Sequence, residues 1–208
     1  MGRYIQASCR LCRRQGEKLF LKGPRCTTPK CAIVKRAFAP GDHGQNRIKL
    51  SNYGLQLREK QKVKRMYGVL EKQFRKYFKI ASKSKGVTGR VLLQLLERRL
   101  DNVIFRLGLA TSHAQSRQVV RHNFVWVNSH RVNIPSYLVE PGDTVEIKAK
   151  EKALQKIKDN LELSKDRTVP TWFEFDPKVF KAKVTRLPEK EDIPGMIQEQ
   201  LIVELYSK

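Results

Sequence analysis

Long apolar runs are missing from this 208-residue sequence. None approaches the ~18–20 residues that crossing a bilayer requires, so no membrane span is expected. The first residues, Met1-Gly2-Arg3-Tyr4-Ile5-Gln6, carry no apolar signal core and no Ser or Thr at position six for myristoylation, which points to the cytosol. Cysteine does not occur beyond Cys31, and in a reducing compartment disulfides are not expected. A Gly-rich phosphate loop, a Gly-x-Ser-x-Gly turn and any cluster of histidines with acids are also missing. Their absence argues against an enzyme and against a small-molecule substrate.

Acids are scarce in one part of the chain, and cations dominate there. Residues 1–90 hold 24 Lys and Arg against 4 acids, whereas the other 118 residues hold 19 against 16. Nearly all of the formal net charge of +23 therefore falls in the first ninety positions. Crowded like charges repel unless an external polyanion neutralises them, and nucleic acid phosphates do so with release of condensed counterions. A disordered basic tail is the bland alternative. An apolar content of 40% is enough for a core in one large or two small domains.

The four cysteines form two pairs, Cys9 with Cys12 and Cys26 with Cys31, separated by thirteen residues. Two close pairs on a short loop suit a tetrahedral thiolate site, because each pair aims two sulfurs at one ion. Arg10, Arg13, Arg14, Lys18, Lys22, Arg25 and Lys30 crowd the segment, which would lower the thiol pKa. Structural zinc is the expected occupant. An iron–sulfur cluster uses the same four thiolates and stays open, a redox dithiol would need a βαβ context that is missing, and four unrelated thiols are the remaining alternative. A closed site of this kind staples a small segment and activates no water.

Residues 32–50 read as irregular, with Pro40-Gly41-Asp42-His43-Gly44 as a loop that lets backbone approach a partner. Ser51 caps a helix to Tyr67, basic over most of its circumference at Arg58, Lys60, Lys62, Lys64 and Arg65. Only Glu59 and Glu71 oppose it on this helix and the next, so a phosphate-facing helix is expected. Phe74, Tyr77, Phe78 and Ala81 share one face of a helix over 70–82. A polar hinge near 83–90 marks a domain boundary, dividing 1–90 from 91–208. Leu92 to Leu107 then keeps helical spacing up to Gly108, and Ser112 with Gln115 forms a capping box for a helix to His122. Beyond Asn123 the period changes: a hairpin turns at Asn128-Ser129, a strand covers 144–147, a helix 151–163, and further alternation falls at 171–176 and 184–187. Leu201–Tyr206 reads as a strand or buried tail. Trp126 and Trp172 read as core residues. The fold class is α+β with helices leading.

Three stretches carry a resemblance: Leu96-Glu97-Arg98-Arg99-Leu100-Asp101-Asn102-Val103, Ser112-His113-Ala114-Gln115-Ser116-Arg117-Gln118-Val119-Val120-Arg121, and Val125-Trp126-Val127-Asn128. Together they resemble the small RNA-binding module of the bacterial small ribosomal subunit protein four family, here placed at residues 99–162. The Met1-Gly2-Arg3-Tyr4 start, the four cysteines, Pro40-Gly41-Asp42-His43-Gly44 and Glu199-Gln200-Leu201-Ile202-Val203-Glu204-Leu205-Tyr206 resemble the zinc-containing branch of that family. The resemblance implies binding to the 5′ domain of 16S ribosomal RNA, a role in starting small-subunit assembly, a place beside protein five of that subunit near where mRNA enters, and a bearing on decoding accuracy. It implies no enzymatic activity. Family turns commonly carry Asn-Gly where this chain has Asn128-Ser129, so the turn is expected to be looser or of another type.

The residues assigned to RNA are Arg3, Arg13, Arg14, Lys22, Arg36, Arg47, Lys49, Arg58, Lys60, Lys62, Lys64, Arg65, Lys83, Lys85, Arg99, Arg117, Arg121, His122, Asn128 and Arg131. Asp101 is read as an ion-pair partner. Pseudouridine synthases and a tyrosine-specific tRNA synthetase carry the same module, so an RNA-modifying or tRNA-binding enzyme subunit is the main alternative. A zinc-dependent DNA regulator is the other, though the chain lacks a Cys-Cys-His-His finger.

Overall fold

The computed structural model describes residues 2–46, 49–164 and 167–207. The chain divides into two compact units, Met1–Leu92 with Met196–Lys208, and Leu93–Gly195. The division falls inside a helix rather than in the polar hinge. Residues after Gly195 return to the first unit instead of completing the second.

In the first unit, α1 (Cys9–Gln15) and α2 (Ala32–Lys35) flank a short 3-10 turn at Gly23–Cys26. The segment 32–50, expected to be irregular throughout, begins with the helical turn α2, and its described residues after Lys35 are irregular. Ser51 Oγ accepts the Gly54 amide at 3.2 Å and starts α3 (Asn52–Met66), filling the role its sequence position suggests. Gly68, at φ 61°, turns the chain into α4 (Glu71–Lys83). Phe74, Tyr77 and Ala81 are buried on the inner face of α4. Phe78 instead stacks on Tyr206, with ring centroids 4.4 Å apart. Tyr206 belongs to α9 (Glu199–Tyr206), which packs along α3. The segment expected as a strand or tail is thus a helix. Leu-Ile-Val-Glu-Leu-Tyr fits either period, and Ile202, fully buried where α9 packs along α3, finds its partners only in tertiary structure. Each such side chain contributes ~1.5–3 kcal/mol by leaving water.

The second unit holds α6 (Leu100–Arg106), α7 (His113–Arg121), α8 (Glu151–Glu162) and a five-stranded antiparallel sheet. Its strands are β1 (Val125–Val127), β2 (His130–Arg131), β3 (Thr144–Ile147), β4 (Phe173–Asp176) and β5 (Lys181–Val184), in the order β2-β1-β3-β5-β4. The helix expected from Leu92 to Leu107 is two helices, α5 (Thr88–Glu97) and α6. Arg99 between them is extended, at φ −64° and ψ 134°, and bridges Leu138. Leu100 N donates to Tyr137 O at 2.8 Å and Val139 N to Arg98 O at 2.9 Å. Leucine spacing survives so short a break, which hid it in the sequence. One face of the sheet and the helices enclose Leu100, Ile104, Val120, Val125, Val139, Val145 and Trp172. Trp126 alternates to the other face of β1 and is only half-buried, contrary to its core reading.

Candidate RNA interface and cysteine cluster

Cys9 opens α1, Cys12 lies one turn on, Cys26 closes the 3-10 turn and Cys31 caps α2. Cys12, Cys26 and Cys31 are buried, and all four are free thiols. Burial pushes the Cys12 and Cys26 thiols up, and the other cysteines add to this. The basic surroundings do not bring the thiols down as expected: Lys22 acts to lower Cys26, but burial of the sulfur outweighs it. Two amides partly offset the burial: Leu19 N donates to Cys12 sulfur, and Lys22 N to Cys26 Sγ at 3.4 Å. The four sulfurs feel one another electrostatically, and the donor set is of the kind that soft cations take. Among the described residues, however, no three His, Cys, Asp or Glu side chains are grouped to hold a metal ion.

The basic helix α3 is an internal strut rather than an open cationic face. Lys60, Lys62, Glu59 and Gln56 are buried. Lys60 and Lys64 hold the two oxygens of Glu71 at 2.7 and 3.0 Å. Lys62 reaches Glu59 at 2.9 Å, Glu17 at 3.4 Å and the carbonyl of Met196 at 2.7 Å. Gln198 N donates to Glu59 at 2.8 Å, and Gln56 donates to Glu204 at 2.9 Å. Few acids therefore suffice, because Glu71 serves two lysines and groups far along the chain supply the rest. Burial works to raise the Glu71 carboxyl, but the two lysines outweigh it and hold it down at about 2. Arg58 donates to the Arg14 carbonyl and Arg65 to Gln15, fixing α1 against α3. Burial, and repulsion among these arginines, lowers the pKa of Arg58 and Arg65.

Arg13 and Arg14 are likewise engaged, clamping carbonyls of Phe38 (3.0 Å), Ala39 (3.4 Å) and Pro40 (2.7 Å). The loop that follows needs glycine at position 44: a Cβ there would lie 1.9 Å from the Ala39 oxygen. Arg3, Lys22, Arg36, Lys49, Lys83 and Lys85 remain exposed. Arg47 lies outside the described residues.

A buried polar network organises the second unit. Arg99, only 2% exposed, binds Asp101 through two bonds of 3.0 and 2.6 Å, and Arg117 reaches the same carboxylate at 3.4 Å. Asp101 is the ion-pair partner it was expected to be. Arg99 and Arg117, assigned to RNA, are instead turned inward onto it. Glu97, with no exposed surface, takes Asn102 at 2.6 Å and Arg106 at 3.0 Å. His113 faces Asn102 at 3.1 Å and lies against Phe105, centroids 4.0 Å apart. Burial, together with Arg106, Arg99 and Arg167, pulls this imidazole down to about 3, so it is neutral at physiological pH. Ser112 Oγ accepts Gln115 N at 3.3 Å, while Gln115 Oε1 turns to Thr111 N at 2.8 Å, so half of the expected capping box forms.

The hairpin turn is the tight two-residue kind. Asn128 and Ser129 both adopt positive φ, 48° and 67°, the type I′ signature. Asn128 stabilises it by donating to Asp143 at 2.7 Å and accepting Thr144 N at 2.9 Å. Its side chain is thus used within the protein, and Ser129 takes the strain that glycine would avoid. Arg121, His122 and Arg131 are exposed beside this turn and the end of α7. Arg131 and Lys148 stand over the Trp126 ring, at 5.4 and 4.7 Å from its centroid, close enough for cation–π attraction.

Sequence reasoning missed Lys148, Lys150, Lys152 and Lys156. Lys150, Lys152 and Lys156 rim a groove of about 550 Å³ between α7 and α8. The i, i+4 spacing of Lys152 and Lys156 was the available signal, obscured by Glu151 and Asp159 on the same helix.

A helix pair and a hairpin presenting exposed Arg121, His122 and Arg131 are the arrangement of an RNA-binding module of the S4-domain class, which the family comparison supports. The description "S4 domain" matches residues 98–145, and "Ribosomal protein S4/S9 N-terminal domain" matches residues 3–97. The chain is 59% identical to small ribosomal subunit protein uS4 of Acetivibrio thermocellus and 57% identical to that of Pelotomaculum thermopropionicum. It is also 59% identical to uS4A of Alkaliphilus oremlandii, and each comparison covers 100% of both chains. The chain belongs to the small ribosomal subunit protein uS4 family. It is not an enzyme.

Proposed function

We propose that this protein is a structural constituent of the small ribosomal subunit, binding 16S ribosomal RNA directly in the cytoplasmic ribosome. The observation that carries this reading is identity of 57–59% to uS4 proteins over the whole length. The exposed cations support it: Arg3, Lys22, Arg36, Lys49, Lys83 and Lys85 on one unit, Arg121 and Arg131 on the other. Their work is to neutralise phosphates and to hold folded RNA by its backbone and 2′-hydroxyls. The finer reading places the contact on the 5′ domain of that RNA, early in assembly, beside protein five and near where mRNA enters, with a bearing on decoding accuracy.

Binding of the purified chain to a 5′-domain transcript, against duplex DNA of equal length over a salt series, tests the reading. Neutralising about eight phosphates makes affinity fall ~10³–10⁵-fold between 50 and 200 mM salt for any nucleic acid, so preference for the folded transcript is the informative result. Equal affinity for both would refute it.

A structural zinc ion on Cys9, Cys12, Cys26 and Cys31 is a second part of the proposal. The pairing of the thiols and the two amides aimed at sulfur support it. Such an ion would bind thiolates and staple the segment before α3. Elemental analysis should find one zinc per chain, lost on changing Cys9→Ser and Cys12→Ser together. Metal retained at full stoichiometry in that variant would refute the assignment, and iron with labile sulfide would replace it.

A further inference from the structure

The groove between α7 and α8 has features that phosphate neutralisation alone does not explain. Val119, Phe124, Ala153 and Ile157 give it an apolar floor. Lys150, Lys152 and Lys156 with His122 form a rim exposed to solvent. Among the described residues no carboxylate lines it, although Glu151 and Asp159 lie on α8 itself. One end is held by Gln115, which donates to Asn160 at 3.1 Å, while Asn160 in turn donates to the Leu109 carbonyl at 3.4 Å. The two helices are thus fixed at a set separation, and little ordering is needed when a ligand enters. The other end is bounded by His122 set edge-on to Phe124, centroids 5.8 Å apart.

A space of about 550 Å³ is in the range of sites for small planar ligands. It is too confined for a duplex, whose bases are stacked inside. Lys152 and Lys156 sit one helical turn apart, about 6 Å along the axis, comparable to the step between successive phosphates of a strand. Aromatic and apolar walls accept any base face, whereas a cationic rim takes the backbone.

We propose that this groove receives one unstacked nucleotide of single-stranded RNA, its base on the Val119, Phe124 and Ile157 floor and its flanking phosphates on the lysine rim. The inference rests on the RNA-binding reading above and adds to it a site for a flipped or bulged base. Gln118 and His122 also line the groove and bring an amide and an imidazole that can meet a base's hydrogen-bonding groups.

Fluorescence anisotropy of the full chain with a labelled uridine hexanucleotide tests this, alongside a duplex RNA of equal length and the 5′-domain transcript. Ala153→Phe fills the groove without changing charge. Lys152→Glu with Lys156→Glu reverses the rim at solvent-exposed positions, and so reads the site even if the first variant misfolds. Each should weaken hexanucleotide binding roughly tenfold or more, and Ala153→Phe should leave transcript affinity within about threefold. A 4-thiouridine hexanucleotide should crosslink to peptides containing Phe124 or Ile157. Unchanged hexanucleotide binding by folded Ala153→Phe, equal competition by the duplex, or equal displacement by polyglutamate would overturn the proposal. If the wild-type chain binds the transcript but not the hexanucleotide, the groove assignment alone falls. If it ignores the transcript, the ribosomal reading falls with it.

Discussion

Replacing Asp101 by asparagine tests the claim that Arg99 and Arg117 serve the fold before they serve RNA. The change keeps shape but removes the charge that two guanidinium groups share, at 2.6 and 3.4 Å. Arg99 is 2% exposed and cannot turn to water. Breaking a buried pair by removing one partner costs ~3–5 kcal/mol, since the other charge is left uncompensated. With a urea dependence of ~2 kcal/mol per molar, the unfolding midpoint should drop by ~2 M. Both tryptophans, Trp126 and Trp172, lie in the second unit, so their fluorescence reports on that unit alone. Adding Arg99→Met to the asparagine variant should recover part of the loss, because it removes the buried guanidinium that has lost its carboxylate, while the introduced amide and Arg117 keep the rest. A loss below about 1 kcal/mol in the single variant would mean that Arg99 does not depend on Asp101, and its inward assignment would be wrong.

His113 is held neutral down to about 3, against an ordinary 6.5. Below 6.5 the unfolded chain takes up a proton that the folded one refuses. Stability therefore falls as the pH drops, by ~2 kcal/mol between pH 7 and 5. His113→Asn should flatten that slope in tryptophan-monitored unfolding, and an unchanged slope would rule out this source. Gly44→Ala should open the 38–44 loop, given the 1.9 Å approach to Ala39 O, and should raise its protease sensitivity; wild-type resistance would contradict the geometry. Arg121→Ala, at an exposed position, should weaken RNA binding only a few-fold and lower the salt slope by about one. Lys62→Ala should instead destabilise the first unit with little change in salt slope, and the reverse pattern would undo the division between inward and outward cations.

Local signals were legible wherever neighbours in sequence are also neighbours in space. Ser51 and Ser112 announce their helices because a cap and the amide it serves lie three residues apart. Phe74, Tyr77 and Ala81 mark a buried face for the same reason. The fate of charge was not legible. Lys62 meets the Met196 carbonyl, and Gln56 meets Glu204, across more than 130 intervening positions. No local count of acids around 58–65 could anticipate them. Arg99 was misjudged because a two-residue break, Arg98 and Arg99, leaves the leucine period on either side intact. The groove escaped notice because its floor is shared between helices some thirty residues apart, each of which reads alone as an ordinary amphipathic surface. Cysteine spacing was plain in the sequence, but spacing carries no information on how far burial shifts a thiol.

The return of α9 to α3 has a consequence for biosynthesis. Residues 93–195 are contiguous, so that unit can form as soon as it has been made. The first unit has all but α9 and its approach in hand far earlier, yet the bonds of Glu59 to Gln198 N, of Lys62 to the Met196 carbonyl and of Gln56 to Glu204 form only when residues 196–206 emerge. A product truncated before Met196 would present that unfinished polar seam and the empty berth of Ile202 to the cell's proteases. A finished amino-terminal lobe thereby requires synthesis through residue 206.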